Sequence, residues 1–161
     1  MDGKTLRLAL GLAALALLIF LALLWQPERQ VRLHHEHFLK AVGKRNWQAV
    51  GKFIAAEYHD RWGHDKENVL AQSAQVFGQF LFCEIQSEDR SLAVENGSAA
   101  VSARILLGGT GGPIAEYAKQ RVSALTEPFV FKWTRQSWKP WDWVLTEVDQ
   151  PELTIPAMGD F

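Results

Sequence analysis

The stretch from Glu57 to Asp65, EYHDRWGHD, concentrates side chains that could do acid–base chemistry. Histidine titrates near neutral pH, and carboxyl and phenol groups can also transfer protons, so His59, Asp60 and Tyr58 are the candidate catalytic residues. His59 and His64 lie five positions apart with Gly63 between them, a spacing that suits one metal ion poorly. We therefore expect no metal site and no cofactor. A structural role at the end of a helix is the interpretation that we favour for this stretch.

Three other groups of residues lack the spacing of a functional site. Within the histidine-rich segment 34–37, neighbouring helical residues point apart, and only His34 and His37 share a face. The segment 108–113, GGTGGP, lacks the lysine and hydroxyl residue of a phosphate-binding loop, so we expect a flexible connection that interrupts the sheet. Cys83 lies in a strand pattern, which favours a small buried hydrophobic residue over a nucleophile.

Composition sets the class of protein. The chain has 161 residues, of which 48% are apolar, enough for one domain with its own core. A net charge of −1 provides no basic field, so we expect no nucleic-acid partner. A lone cysteine excludes an internal disulfide framework.

The N-terminal segment is the strongest signal in the sequence. Residues 8–25, LALGLAALALLIFLALLW, carry no charge and would span about 27 Å as a helix, close to the hydrocarbon thickness of a bilayer. We expect a single membrane span rather than a cleaved signal peptide, because no small-residue cleavage site follows the run. Positive charges flank both sides, and their count alone favours a cytoplasmic location for the domain that follows the run. A large folded domain translocates largely regardless of such charge, and the short basic leader favours the extracytoplasmic side.

Helices are predicted on both sides of EYHDRWGHD. Apolar residues at three- and four-residue steps predict a first helix over 28–44. Asn46 is a candidate N-cap of a second helix that ends at Gly63, so the stretch would form its last turn. Asp65 is a candidate N-cap of a third helix that ends near Phe80. The apolar stripe of the second helix consists of Trp47, Val50, Phe53, Ile54, Tyr58 and Trp62.

Strands follow the helices. Alternating residues from Leu81 onward predict an antiparallel sheet, and Asn96-Gly97 between two such runs predicts a hairpin. A second hairpin is predicted from 129–135 and 141–148 around the turn 137–140. Residues 114–125 fit a short helix begun by Pro113 or a continuation of strand, and the pattern leaves both open.

Helices followed by an antiparallel meander are typical of an α+β fold. The leading segment HFLKAVGKRNWQAVGKFIAAEYHDRWG and the closing segment PFVFKWTRQSWKPWDWVLTEVDQPEL resemble the nuclear transport factor 2-like superfamily in layout and hydrophobic pattern. This cystatin-like, cone-shaped fold is shared by ketosteroid isomerase and the polyketide cyclases. The resemblance covers about residues 30–153. It implies about three helices on a curved sheet and a pocket between them, with Tyr58, Trp62, Phe131 and Trp133 as candidate lining residues.

The last strand suggests a further interface. Trp141, Trp143 and Leu145 alternate with Val144 and Val148, so both faces of the strand carry apolar groups. A homodimer through the outer face of the sheet would cover Val144 and Val148.

These patterns divide the chain into three predicted regions: a basic leader with the anchor at 1–27, a nuclear transport factor 2-like domain at 28–153 and a tail at 154–161. The catalytic pattern of ketosteroid isomerase does not map onto this chain, so we expect a membrane-anchored binding or assembly module rather than an enzyme. Its partner would be a small ligand or a protein. The alternative is a small-molecule isomerase, cyclase or dehydratase that acts in the cone pocket. A polar cavity that holds His59 or Asp60 near Tyr58 would favour the enzyme.

Overall fold

Four antiparallel strands in the order β1-β2-β3-β4 form the sheet of the computed structural model, which describes residues 3–154. The predicted tail, except Thr154, lies outside the described residues. The strands are β1 (Phe80–Glu95), β2 (Ser98–Gly111), β3 (Phe129–Arg135) and β4 (Trp143–Asp149), and the helices are α1 (Gly3–Leu24), α2 (Pro27–Gly43), α3 (Trp47–Phe53), α4 (Lys66–Gly78) and α5 (Pro113–Ser123). The predicted α+β architecture is confirmed, with four helices rather than three accompanying the sheet after α1.

Two hairpins fix the register of the sheet. Asn96 and Gly97 have φ values of 49° and 80°, as a tight turn with two left-handed residues requires, and they join β1 to β2. The β3–β4 hairpin closes through 136–142. Both predicted hairpins are confirmed.

A bulge in β4 changes which residues share a face. Lys132 pairs with Glu147, but the next residue, Trp133, pairs with Leu145, so Thr146 is the extra residue. Leu145 and Val148 consequently lie on the inner side of the sheet. The predicted placement of Val148 on the outer face is therefore wrong.

The core lies between α2, α3 and the inner face of the sheet. Phe38 of α2 packs edge-on against the Trp133 ring, with 5.9 Å between the ring centroids. Val31, Val50 and Leu145 are buried in the same cluster. The spacing of apolar residues in α2 therefore explains how the helix docks on the sheet.

The helix after Asn46 is much shorter than predicted. The Asn46 side chain accepts a hydrogen bond from the Ala49 amide, as an N-cap does, but α3 ends at Phe53. The chain then pairs with β4: the Ala55 amide donates to the Leu145 carbonyl at 2.9 Å, and the His59 amide donates to the Thr146 carbonyl at 3.2 Å. The prediction that EYHDRWGHD is the last turn of a helix is wrong, because these sheet contacts replace helical hydrogen bonds.

The glycine segment belongs to the sheet rather than interrupting it. Gly108, Gly109 and Gly111 pair with β1. Gly109 has a φ of 125°, and a Cβ there would lie 2.0 Å from the Phe82 carbonyl oxygen. Only glycine fits at this position. The open question about 114–125 is answered by α5, which begins at Pro113.

Helix α1 carries apolar side chains that are exposed on all sides from Leu8 to Leu23. Among residues 3–154, no single helix combines the length and the apolarity of a membrane span. The segments Arg7–Leu23 and Pro27–Gly43, bent by 63° at the break between them, reach that length and composition only as a pair.

Candidate functional site

A cavity of about 340 Å³ opens between the helices and the inner face of the sheet. Its volume lies within the range of about 300–1,000 Å³ that is usual for small-molecule sites. Most of the wall is apolar, with Phe38 and Leu39 from α2, Val76 from α4 and Val122 from α5 among the lining residues. The few polar groups in this wall determine what the cavity can do.

Tyr58, Asp60 and His64 form a connected polar group in the cavity wall. The Tyr58 hydroxyl donates to Asp60 Oδ2 at 3.4 Å, and His64 Nδ1 lies 3.0 Å from the same oxygen. Both Tyr58 and Asp60 are buried. The side chain of His64 is 13% exposed. The loop from Ala55 to Asp65 brings these residues together because it folds back on itself instead of continuing α3.

Asp60 organises this loop. Its Oδ1 accepts hydrogen bonds from the Trp62 amide at 3.0 Å and the His64 amide at 2.9 Å. Gly63, with a φ of 82°, provides the left-handed turn between them. The buried carboxylate is thus paired through both oxygens, as a buried charge must be.

The pairing with Asp60 assigns the proton on His64. A carboxylate accepts hydrogen bonds and has none to donate, so in the neutral ring Nδ1 carries the proton and Nε2 has the free lone pair. In the part of the chain that the structure describes, no group is hydrogen bonded to Nε2. A histidine held by a carboxylate with its second nitrogen free can accept a proton from a ligand.

Tyr58 cannot act as the base. Burial raises the pKa of its hydroxyl well above the ordinary value, and the neighbouring Asp60 carboxylate raises this pKa further. The hydroxyl therefore stays protonated and serves as a hydrogen-bond donor.

The structure separates the sequence-predicted site residues. Tyr58, Asp60, Trp62 and Phe131 line the cavity, and the Trp62 indole donates to the Leu153 carbonyl at 2.9 Å. The candidate His59 lies elsewhere: its side chain is exposed and does not belong to the cavity wall.

Trp133 was also expected in the pocket wall, but it lies in the core behind it. The side chain is 1% exposed, and it packs against Phe38 and His35 rather than lining the cavity.

For the polar part of the cavity, sequence reasoning did not predict the pairing of His64 with Asp60 or the presence of Arg121 of α5. The i,i+4 spacing of Asp60 and His64 was a usable signal, but the predicted helix end at Gly63 separated them. Arg121 gave no local signal, because its position in the wall depends on how α5 packs on β2.

His35 is a second buried polar residue, outside this cavity. Neither ring nitrogen has a hydrogen-bond partner among the described residues, and Nε2 lies 4.0 Å from Asp89 Oδ1. Burial lowers the pKa of His35 to about 4, with the Asp89 carboxylate opposing the shift and Arg32 adding to it. Over residues 3–154, no group of three or more His, Cys, Asp or Glu side chains could hold a metal ion.

Neither a protein-family model nor a curated protein matches this sequence. Solved structures match it in shape. A conserved protein from Planctomyces limnophilus has a TM-score of 0.59 at 15% identity over 75% of this chain and 91% of that protein. A proposed dehydratase of the nuclear transport factor 2-like family from Streptomyces avermitilis has a TM-score of 0.56 at 14% identity over 76% and 93%.

A third similar structure, a proposed aromatic ring hydroxylase from Novosphingobium aromaticivorans, has a TM-score of 0.58 at 12% identity over 76% of this chain and 86% of that protein. At these identities the likeness concerns the fold alone. The domain that follows α1 therefore has the nuclear transport factor 2-like fold.

Proposed function

We propose that this domain binds a small, largely apolar molecule in the cavity and transfers a proton on it, as isomerases and dehydratases do. The observation that carries the proposal is the hydrogen-bonded group of Tyr58, Asp60 and His64 in a mostly apolar wall. Acid–base chemistry needs a base held in place where water is excluded. The proposal is also supported by the similarity in fold to a protein that has been proposed to be a dehydratase.

The three polar residues would have different roles. His64 Nε2 would take a proton from a carbon or oxygen atom of the bound molecule. Asp60 would hold the imidazole in the correct tautomer and stabilise the imidazolium that forms. Tyr58, which keeps its proton, would hold Asp60 in place through its hydroxyl.

A general proton-abstraction probe tests this proposal. In 5-nitrobenzisoxazole, a base removes the proton on the ring carbon, that electron pair completes a nitrile, and the N–O bond breaks to leave a coloured phenolate. The wild-type chain should accelerate this reaction above free imidazole at equal concentration. His64→Gln should reduce the rate on the order of a hundredfold. His59→Gln is the matched control and should keep the rate, since His59 lies outside the cavity.

A non-catalytic binding module is the second candidate. The observation in its favour is that Asp60 Oδ1 accepts from two amides of the loop and Oδ2 is contacted by the Tyr58 and His64 side chains, which a purely structural role would also explain. This candidate would be favoured over the enzyme if the wild type bound an apolar probe saturably but did not accelerate proton abstraction from 5-nitrobenzisoxazole.

We also propose that residues 8–25 anchor the chain in a membrane. Two observations support the anchor. A helix that is apolar all round needs an apolar environment, and the described side chains of α1 from Leu8 to Leu23 are exposed. In addition, the Trp25 ring lies 6.0 Å from the exposed Trp138 ring, centroid to centroid, as in a membrane-interface aromatic belt. The globular domain would lie on the extracytoplasmic side.

A homodimer through the outer sheet face also stays a proposal. With Val148 on the inner side, the outer face includes the ion pair between Lys132 and Glu147 at 2.9 Å. The interface would therefore be more polar than the sequence suggested. Sedimentation of the chain in neutral detergent should show two copies per particle, and a single copy would contradict the dimer.

A further inference from the structure

The cavity contains a positive charge without an ionic partner. Arg121, in the last turn of α5, lines the cavity together with apolar residues of the same helix. No carboxylate of the described residues lies within ion-pairing distance of its guanidinium. An arginine beside an apolar space usually has such a partner, because an unpaired charge there is costly.

The hydrogen bonds of Arg121 are also incomplete. Its Nε is buried and has no partner among the described residues. Its Nη2 makes one long contact of 3.4 Å, to the Glu152 carbonyl oxygen. The edge of the guanidinium formed by these two nitrogens is one of the two edges that can bind both oxygens of a carboxylate.

The nearest acidic residue along the C-terminal segment is used elsewhere. The Glu152 carboxylate accepts hydrogen bonds from the Thr126 amide at 2.7 Å, the Thr126 hydroxyl at 2.5 Å and the Glu127 amide at 3.2 Å. These bonds lower the pKa of Glu152 and hold its charge away from Arg121. The protein itself thus leaves the guanidinium edge without an anion.

The C-terminal segment brings Arg121 to the same side of the cavity as the polar loop. Arg121 contacts the Glu152 carbonyl, and Trp62, next in the cavity wall to His64, donates to the neighbouring Leu153 carbonyl. The wall also includes apolar residues of α4, β1 and β2, among them Val76, Ile85 and Leu107.

From this distribution we infer that the ligand is an amphipathic organic acid, with a carboxylate on Arg121 and an apolar body in the cavity. The inference rests on the proposed ligand-binding function and adds the class of molecule. An anionic group held by Arg121 would also place the adjoining carbon atoms on the His64 side of the cavity.

Matched probes test the inference on the full chain in lipid nanodiscs, with empty nanodiscs as the baseline. Octanoate and octanamide share their apolar body and differ in charge, so isothermal titration of both isolates the contribution of the carboxylate. Octanoate should bind on the order of tenfold more tightly than octanamide, as a charge-assisted hydrogen bond predicts.

Substitutions at Arg121 test whether this residue causes the difference in affinity between octanoate and octanamide. Arg121→Met keeps much of the side-chain stem and should lower octanoate affinity to that of octanamide, while a retained thermal transition shows that the variant is folded. Arg121→Lys should restore part of the preference. Arg104→Met is the control, because Arg104 is exposed on β2 and does not line the cavity.

The outcomes separate the inference from the function on which it rests. Equal binding of the two probes by the wild type, or an octanoate preference that survives in Arg121→Met, would overturn the inference and leave the apolar site intact. Absence of binding by both probes would overturn the ligand-binding proposal, and the inference with it.

Discussion

At the scale of single residues, His64 and His59 are a matched pair that differ in their contacts. His64 Nδ1 lies 3.0 Å from the buried Asp60 carboxylate, whereas His59 is exposed. Loss of a hydrogen bond to a charged group costs about 1.5–3 kcal/mol. We expect His64→Ala to lower the free energy of unfolding by that amount. His59→Ala should change it by no more than about 0.5 kcal/mol.

Urea denaturation followed by tryptophan fluorescence measures both changes. Equal and small effects of the two substitutions would show that the His64–Asp60 contact contributes nothing to the loop.

His35 predicts how stability depends on pH. Burial lowers its pKa in the folded state to about 4, against an ordinary value of 6.5. Between pH 6.5 and about pH 4, His35 therefore binds a proton in the unfolded chain but not in the folded chain. The contribution of neutral His35 to the free energy of unfolding is fully present above pH 6.5. As the pH falls to about 4, the free energy of unfolding decreases by up to about 3 kcal/mol.

The comparison variant is His35→Leu, which has no group that titrates here. Between pH 7 and pH 4, the free energy of unfolding of the wild type should fall relative to that of His35→Leu by up to about 3 kcal/mol. A constant difference between the two proteins across this range would contradict a buried neutral His35.

At the scale of elements, the end of β2 depends on Gly109. Its φ of 125° and its approach to the Phe82 carbonyl leave no room for a side chain. Gly109→Ala should therefore separate β1 from β2 near the start of α5 and destabilise the protein by more than about 1 kcal/mol. Gly97→Ala is the comparison, because its φ of 80° is also positive but no atom lies within 4 Å of a Cβ there. Thermal denaturation should show the larger loss for Gly109→Ala.

The contrast between α3 and α4 shows which parts of the fold are determined by the local sequence. Asp65 was predicted as an N-cap, and its side chain accepts from the Asn68 amide at 2.9 Å at the start of α4. Capping and hairpin turns are local, so they could be predicted. The end of α3 depends on β4, whose residues lie far along the chain, so an apolar stripe that continued to Trp62 gave the wrong answer.

The candidate site shows the same limit. Tyr58, Asp60 and Trp62 were identified because they cluster in sequence. The link between Asp60 and His64 requires the loop after Phe53, and Arg121 requires the docking of α5. The bulge at Thr146, which moves Val148 to the inner side, also has no signal in the alternating pattern.

At the scale of the whole molecule, the membrane proposal predicts that one end of the domain lies at the lipid surface. Trp138 lies in the loop next to the Asn96-Gly97 turn, whereas α5 starts beyond the other end of β2. A polarity-sensitive fluorophore attached at Trp138→Cys, in a Cys83→Ser background, should be quenched by lipids spin-labelled at the headgroup. The same label at Ser123→Cys, at the end of α5, is the control and should not be quenched. Equal quenching at the two positions would contradict this orientation.

The central claim is that the cavity binds a small apolar molecule, and a cavity-filling substitution tests it most directly. Ala118 lines the cavity, whereas Gln120 on the same helix is exposed. The measurement is the titration of full-length wild type, Ala118→Phe and Gln120→Phe in nanodiscs with the fluorescent apolar probe 1-aminonaphthalene. Saturable binding is expected for the wild type and for Gln120→Phe, whereas Ala118→Phe should lose this binding and keep its thermal transition. Probe binding that persists in Ala118→Phe, or that is not saturable in the wild type, would contradict a ligand site in this cavity.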